Sequence, residues 1–181
     1  FVQLAAARAA DALAFDRAAD LYQLALELHS GGADEARALR RQLGDALAHA
    51  GRGPEAAQSY LAAIDGASAA EAIDLRRLAA QELLRSGHIA EGMQTIQQVL
   101  DVIGVKLPTT RAGAMLSLGW QRARIGLRGL GFQARDASQI APDVLTRIDA
   151  AYAITAGLAL VDAIRGAGFP AQPLLLSLNA G

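Results

Sequence analysis

A repeat constrains this chain more than any other feature. Laying LRRQLGDALAHAG (Leu39 to Gly51) on LRRLAAQELLRSG (Leu75 to Gly87) brings Leu39, Arg40, Arg41, Leu47 and Gly51 onto Leu75, Arg76, Arg77, Leu83 and Gly87, at an offset of 36 residues. The segments that follow also correspond, Tyr60, Ala63 and Ile64 meeting Ile96, Val99 and Leu100. A further copy lies 38 residues upstream, where Ala18, Ala19, Tyr22, Ala25 and Leu26 meet Ala56, Ala57, Tyr60, Ala63 and Ile64. Repetition at a period of about 20–50 residues marks a stacked architecture in which each unit buries its apolar face against its neighbours.

The unit is helical. Hydrophobic residues make up 52% of the chain but aromatic ones only 4%, so the apolar content is mostly Ala and Leu. Such side chains lose little freedom in a helix, and runs of Val, Ile and Thr that would support strands are missing. In the middle copy, Gly51 predicts a helix end that takes positive φ. Pro54 starts the next helix without losing a hydrogen bond. Small residues at Gly44, Ala56 and Ala63 allow two helices to approach closely, and Tyr60 fills the gap that remains.

These residues resemble the tetratricopeptide repeat, a helix–turn–helix unit of about 34 residues. Leu43-Gly44 looks like the Leu-Gly pair of its helix A, and Ala56, Tyr60 and Ala63 look like the small–aromatic–small series of its helix B. The third copy has Ala79-Ala80 in place of Leu-Gly and Ile96 in place of the aromatic, while the first keeps only its helix B clearly. The expected fold is all-α, an α-solenoid with about three repeats over residues 1–104. Beyond Gly104, Pro108 interrupts the pattern. Thr109 or Thr110 is expected to cap a helix running to about Leu127. A glycine-dense loop is expected over Gly126 to Pro142, a helix from Asp143 to Asp162, a loop over Arg165 to Pro173 and a last apolar helix. Residues 105–181 thus read as a degenerate continuation, truncated at the end.

Charge and composition exclude several classes. The net charge is -1, split between net -5 over residues 1–103 and net +4 over 104–181, so no overall electrostatic drive toward nucleic acid exists. With no cysteine there is neither a disulfide frame nor a thiolate zinc site, consistent with a reducing cytoplasm. The longest apolar run, Ala150 to Val161, is too short to cross about 30 Å of hydrocarbon. The chain opens on Phe1 rather than Met and closes just after LLLSL, which reads as part of a longer protein.

The resemblance implies that helix A lines a concave surface where peptides bind. The groove-facing positions would be Arg41, Asp45 and His49, then Arg77, Gln81 and Arg85. Three arginines at this spacing suit a carboxylate or phosphate, which a guanidinium binds through parallel hydrogen bonds. A solvated polar helix face accounts for the same residues, and the recurrence of Arg40 with Arg76 shows that periodicity alone does not decide between them. Arg122, Arg124 and Arg128 beside Trp120 are too interrupted for a phosphate-tracking stripe and suit a helix C-terminus instead. GLRGLG, Gly126 to Gly131, has neither a preceding strand nor a following Lys-Ser/Thr, and reads as a turn. His29, His49 and His88 lie near helix ends without metal spacing. No catalytic arrangement and no cofactor is expected.

The phrases LRSGHIAEGM, RGLGFQARDASQI, RIDAAYAITAGLALVD and IRGAGF resemble the carboxy-terminal region of large bacterial serine/threonine protein kinases, in which a kinase domain and an ATPase-like module precede a tetratricopeptide region. That resemblance implies a non-catalytic regulatory or recruitment arm contacting protein segments or neighbouring domains. The segment itself has no Gly-rich loop before a strand Lys, no HRD loop and no DFG motif. The alternatives are the repeat sensor of a helical DNA-binding regulator and a free-standing adaptor.

Overall fold

Seven helices run through the described residues of the computed structural model: α1 (Val2–Asp11), α2 (Phe15–Glu27), α3 (Ala33–His49), α4 (Gly53–Ala62), α5 (Ala69–Arg85), α6 (Ile89–Ile103) and α7 (Arg111–Arg128). No strand occurs among these residues. The structure describes residues 1–104, 111–129, 131, 136, 139–141, 144–145, 148–149, 151–152, 174–175 and 177–178. Contacts divide the chain into two units, Phe1–Ile96 and Gln97–Gly181. The division falls inside α6, ahead of Gly104, where the sequence pattern changes.

Within the first unit the main helix contacts run between sequence neighbours, α1 with α2, α2 with α3, α3 with α4 and α4 with α5. Small side chains carry the closest packing. Ala6, Ala18, Ala19, Ala56, Ala57, Ala63 and Ala79 are all buried in one cluster with Leu39, Leu43, Leu47, Tyr22 and Tyr60. Gly44 is the tightest point: a Cβ added there would lie 2.6 Å from Cε1 of Tyr60. The Tyr60 ring packs against that bare backbone, and its hydroxyl donates to Asp45 Oδ1 at 2.8 Å. One turn away, Ser59 Oγ donates to the Arg40 carbonyl at 2.7 Å, a second tie between α4 and α3. Burial, and then the bond to Asp45, push the Tyr60 phenol far above its ordinary range.

Each helix pair turns the same way. After α3 the Arg52 N–H donates to the Leu47 carbonyl at 2.9 Å, across Gly51 at φ 78°. After α5 the His88 N–H donates to the Leu83 carbonyl at 2.8 Å, across Gly87 at φ 83°. After α1 the Ala14 N–H donates to the Ala9 carbonyl at 2.9 Å, and there the left-handed residue is Leu13, at φ 58°. Such a six-residue bond across a left-handed residue satisfies orphan helix carbonyls. α1 is thus the partner of α2, an element the sequence pattern did not make clear because its terminator is not glycine.

The starts differ. α5 opens on a capping box in which Ser68 and Glu71 satisfy each other's backbone. α4 carries Pro54 in its first turn, as expected. Arg37 pairs with Asp34 at 2.9 Å and donates to the Gly66 carbonyl at 3.0 Å, joining the start of α3 to the turn before α5.

Past Gly104, α7 continues through Gly126, and the turn begins at Gly129, φ 77°. The expected loop therefore starts later, because an isolated glycine is tolerated inside a helix at about 1 kcal/mol, whereas Gly129 takes the positive φ that ends it. Thr109 and Thr110 lie outside the described residues, as does the loop at 165–173. Of the helix expected from Asp143 to Asp162, residues 144–145, 148–149 and 151–152 are described and helical.

Two stability outcomes follow from this packing. Tyr60→Ala should destabilise by roughly 3–5 kcal/mol in urea unfolding. Gly44→Ala should destabilise by about 1–3 kcal/mol despite the better helix former, through overlap with the ring. In a Tyr60→Ala background that second loss should vanish, because the two residues are in direct contact; additive losses would mean that the contact does not limit the approach. Separately, Leu13→Gly should raise stability by about 0.5–1 kcal/mol, since Leu13 is largely exposed and gives up only left-handed strain.

Candidate functional site

α3 and α5 carry the six residues expected to face a groove, and the structure gives each a partner within the chain. Arg41 Nη2 lies 3.0 Å from Asp74 Oδ2. Arg77 donates to Asp74 Oδ1 through Nε at 3.1 Å and Nη2 at 2.7 Å. One carboxylate in the second turn of α5 thereby holds two of the three arginines of the supposed clamp, bridging α3 to α5. Gln81 accepts from Arg77 Nη1 at 3.5 Å. Arg85 pairs one turn away with Glu82 at 2.9 Å.

The α3 residues are equally engaged. Asp45 accepts the Tyr60 hydroxyl. His49 Nδ1 donates to the Asp45 backbone carbonyl at 2.7 Å, and its ring stacks on Phe15 of α2 with centroids 4.8 Å apart. This bond sets the tautomer, with the proton on Nδ1. His49, the last residue of α3, also lies where a histidine suits the helix C-terminus.

Arg41 and Arg77 are thus joined through Asp74, and Asp45 follows one turn along α3 from Arg41, so the four make up a polar strip. With Arg85 and Glu82 included, its three arginines are balanced by three carboxylates, Asp45, Asp74 and Glu82, so it offers no surplus of positive charge to an anionic ligand. Arg41 and Arg85 remain about half-exposed, with side chains 46% and 59% accessible. Their N–H groups outside these pairs are open to hydrogen bonding by a polar peptide. Sequence reasoning missed Asp74, although its spacing to Arg77 is the ordinary i,i+3 separation of a helical ion pair. Its reach to Arg41 depends on how α3 and α5 stack, which no local spacing records.

Elsewhere, Arg128 donates to the Gly129 and Gly131 carbonyls at 3.4 and 3.2 Å and also to the Leu178 carbonyl. Arg128, the last residue of α7, thus bonds carbonyls beyond its own helix. Among the described residues no group of three or more His, Asp or Glu is placed to hold a metal ion, and no helix is long and apolar enough to cross a membrane. Comparison with protein-family models, curated proteins and solved structures gave no match.

Asp74→Asn tests the charge balance directly. It should lower stability by only about 0–1 kcal/mol, because both pairs are partly exposed. It should also release Arg41 and Arg77, raising the affinity of the strip for a small polyanion such as citrate, read by isothermal calorimetry. An unchanged affinity would show that Asp74 does not mask the arginines.

Proposed function

We propose that this chain is a non-catalytic helical-repeat scaffold of the tetratricopeptide type. In this reading it is an α-solenoid whose exposed polar strip and grooves contact protein segments or neighbouring domains. It is the regulatory or recruitment arm of a multidomain bacterial serine/threonine protein kinase acting in the cytoplasm.

The observation that carries the repeat reading is the matched burial of equivalent positions. Leu39 and Leu75 are each 2% exposed, and Ala18 and Ala56 are each fully buried. Tyr22, Tyr60 and Ile96 fill corresponding interior positions, and the three turns at Leu13, Gly51 and Gly87 share one hydrogen-bond pattern. Units that repeat a core in this way leave an extended surface free of structural duty, and that surface suits recognition. The kinase connection rests on the phrase-level resemblance of the sequence.

Peptide mapping of the native protein by mass spectrometry tests the parent. Upstream peptides carrying a strand lysine, HRD and DFG are expected; a helix-turn-helix in their place would assign the segment to a DNA-binding regulator. In a kinase parent, deleting residues 1–104 should leave phosphoryl transfer to a generic substrate within about twofold, on the order of 0.4 kcal/mol in barrier, while abolishing capture of its physiological partner. Loss of generic transfer would overturn the scaffold role.

A further inference from the structure

On the side of α3 away from Arg41 lies a groove of about 610 Å³, walled by α2 and α4. That volume is within the ~300–1,000 Å³ typical of ligand clefts. By helical periodicity of about 100° per residue, Ala36, Arg40, Leu43 and Leu47 share one stripe of α3, nearly opposite Arg41 and Asp45. Leu43 and Leu47 are buried at its floor, and Leu26 and Ala62 rise on either wall.

The charges in this groove are not all matched. Glu55 on the α4 wall is held by Arg52, whose Nε donates to Oε1 at 2.8 Å. Glu27 on the α2 wall accepts from Gln23 at 3.3 Å. Arg40, half-buried in the middle, makes no ion pair among the described residues. Its backbone carbonyl is already engaged by Ser59, so the helix beneath the guanidinium is anchored while the guanidinium itself stays available. Arg41, its chain neighbour, is paired with Asp74. Of the two adjacent arginines, the one the repeat reading set aside is the one without an ion pair among the described residues.

We propose that this groove binds a protein segment presenting one carboxylate beside a branched apolar side chain. The carboxylate takes the Arg40 fork through charge-assisted hydrogen bonds. The apolar side chain covers Leu43 and Leu47 and displaces water from between Leu26 and Ala62. Backbone N–H groups of the segment meet Glu27. That same carboxylate repels a polyanion, which makes a single acidic side chain the fitting occupant and a nucleic acid strand an unsuitable one. This inference rests on the scaffold reading and moves its binding surface to the opposite side of α3.

The test is a titration of the whole 181-residue chain, isotopically labelled, with a blocked tetrapeptide carrying one aspartate among leucines, followed by amide NMR shifts. Saturable shifts are expected at Leu26, Leu43, Leu47 and Ala62, with the asparagine version of the peptide binding roughly tenfold more weakly. Arg40→Gln should weaken the aspartate peptide to the same level, with helicity and melting temperature unchanged. If Arg40→Gln does not fold, Ala62→Glu, which adds a repelling carboxylate on the wall, should give the same loss. Equal binding of both peptides, binding that survives these substitutions, or no saturable shift would each overturn the groove. Shifts centred on Arg77 and Gln81 would also overturn it while leaving the scaffold role standing, since deletion of residues 1–104 from the parent decides that role independently.

Discussion

The contact between the Tyr60 ring and the bare backbone of Gly44 sets the spacing of α3 and α4, and the rest of the first unit follows from it. With 2.6 Å between the ring and the place a Cβ would occupy, no other residue is accommodated at position 44 without moving the ring or the helix that carries it. Close approach then makes alanine the right residue at Ala56, Ala57 and Ala63, where longer side chains would overfill the interface. The same device recurs with other residues: a Cβ at Gly92 of α6 would lie 2.7 Å from Leu84 of α5. Glycine on one helix receives a large side chain from its neighbour in both places.

The turns propagate that geometry along the chain. Each helix pair closes through one left-handed residue and one long backbone bond, so successive pairs leave the turn in a similar direction. Gly51 and Gly87 do this without strain, and Leu13 does it against its own preference. The sequence pattern therefore exposed the second and third turns plainly and hid the first. A terminator recognised by its glycine is invisible when a leucine takes the same conformation.

The polar surface is a balance that periodicity does not reveal. Helical spacing correctly put Arg41 with Asp45 and Arg77 with Gln81 on common stripes, since those positions depend only on the 3.6-residue turn. It did not reveal that Asp74 reaches both arginines, or that Tyr60 reaches Asp45 across the helix pair. Those bonds join residues 15 to 33 positions apart. The consequence for function is large. The arginines that looked like an anion clamp are each held in an ion pair, and Arg40, whose recurrence looked uninformative, lines an open groove with no ion pair among the described residues.

The amino-acid sequence by itself determined the helical state, the period, the turns marked by Gly51 and Gly87 and the small-residue faces. Each of these is decided within about one helical turn or by repetition along the chain. Only the tertiary structure decided that α1 pairs with α2 through a strained Leu13, that Asp74 pairs with both Arg41 and Arg77, and that Arg40, unlike Arg41, makes no ion pair among the described residues. The physical reason is that electrostatic pairing acts across distances in space, so whether a charge is available for a ligand depends on which helices stack together.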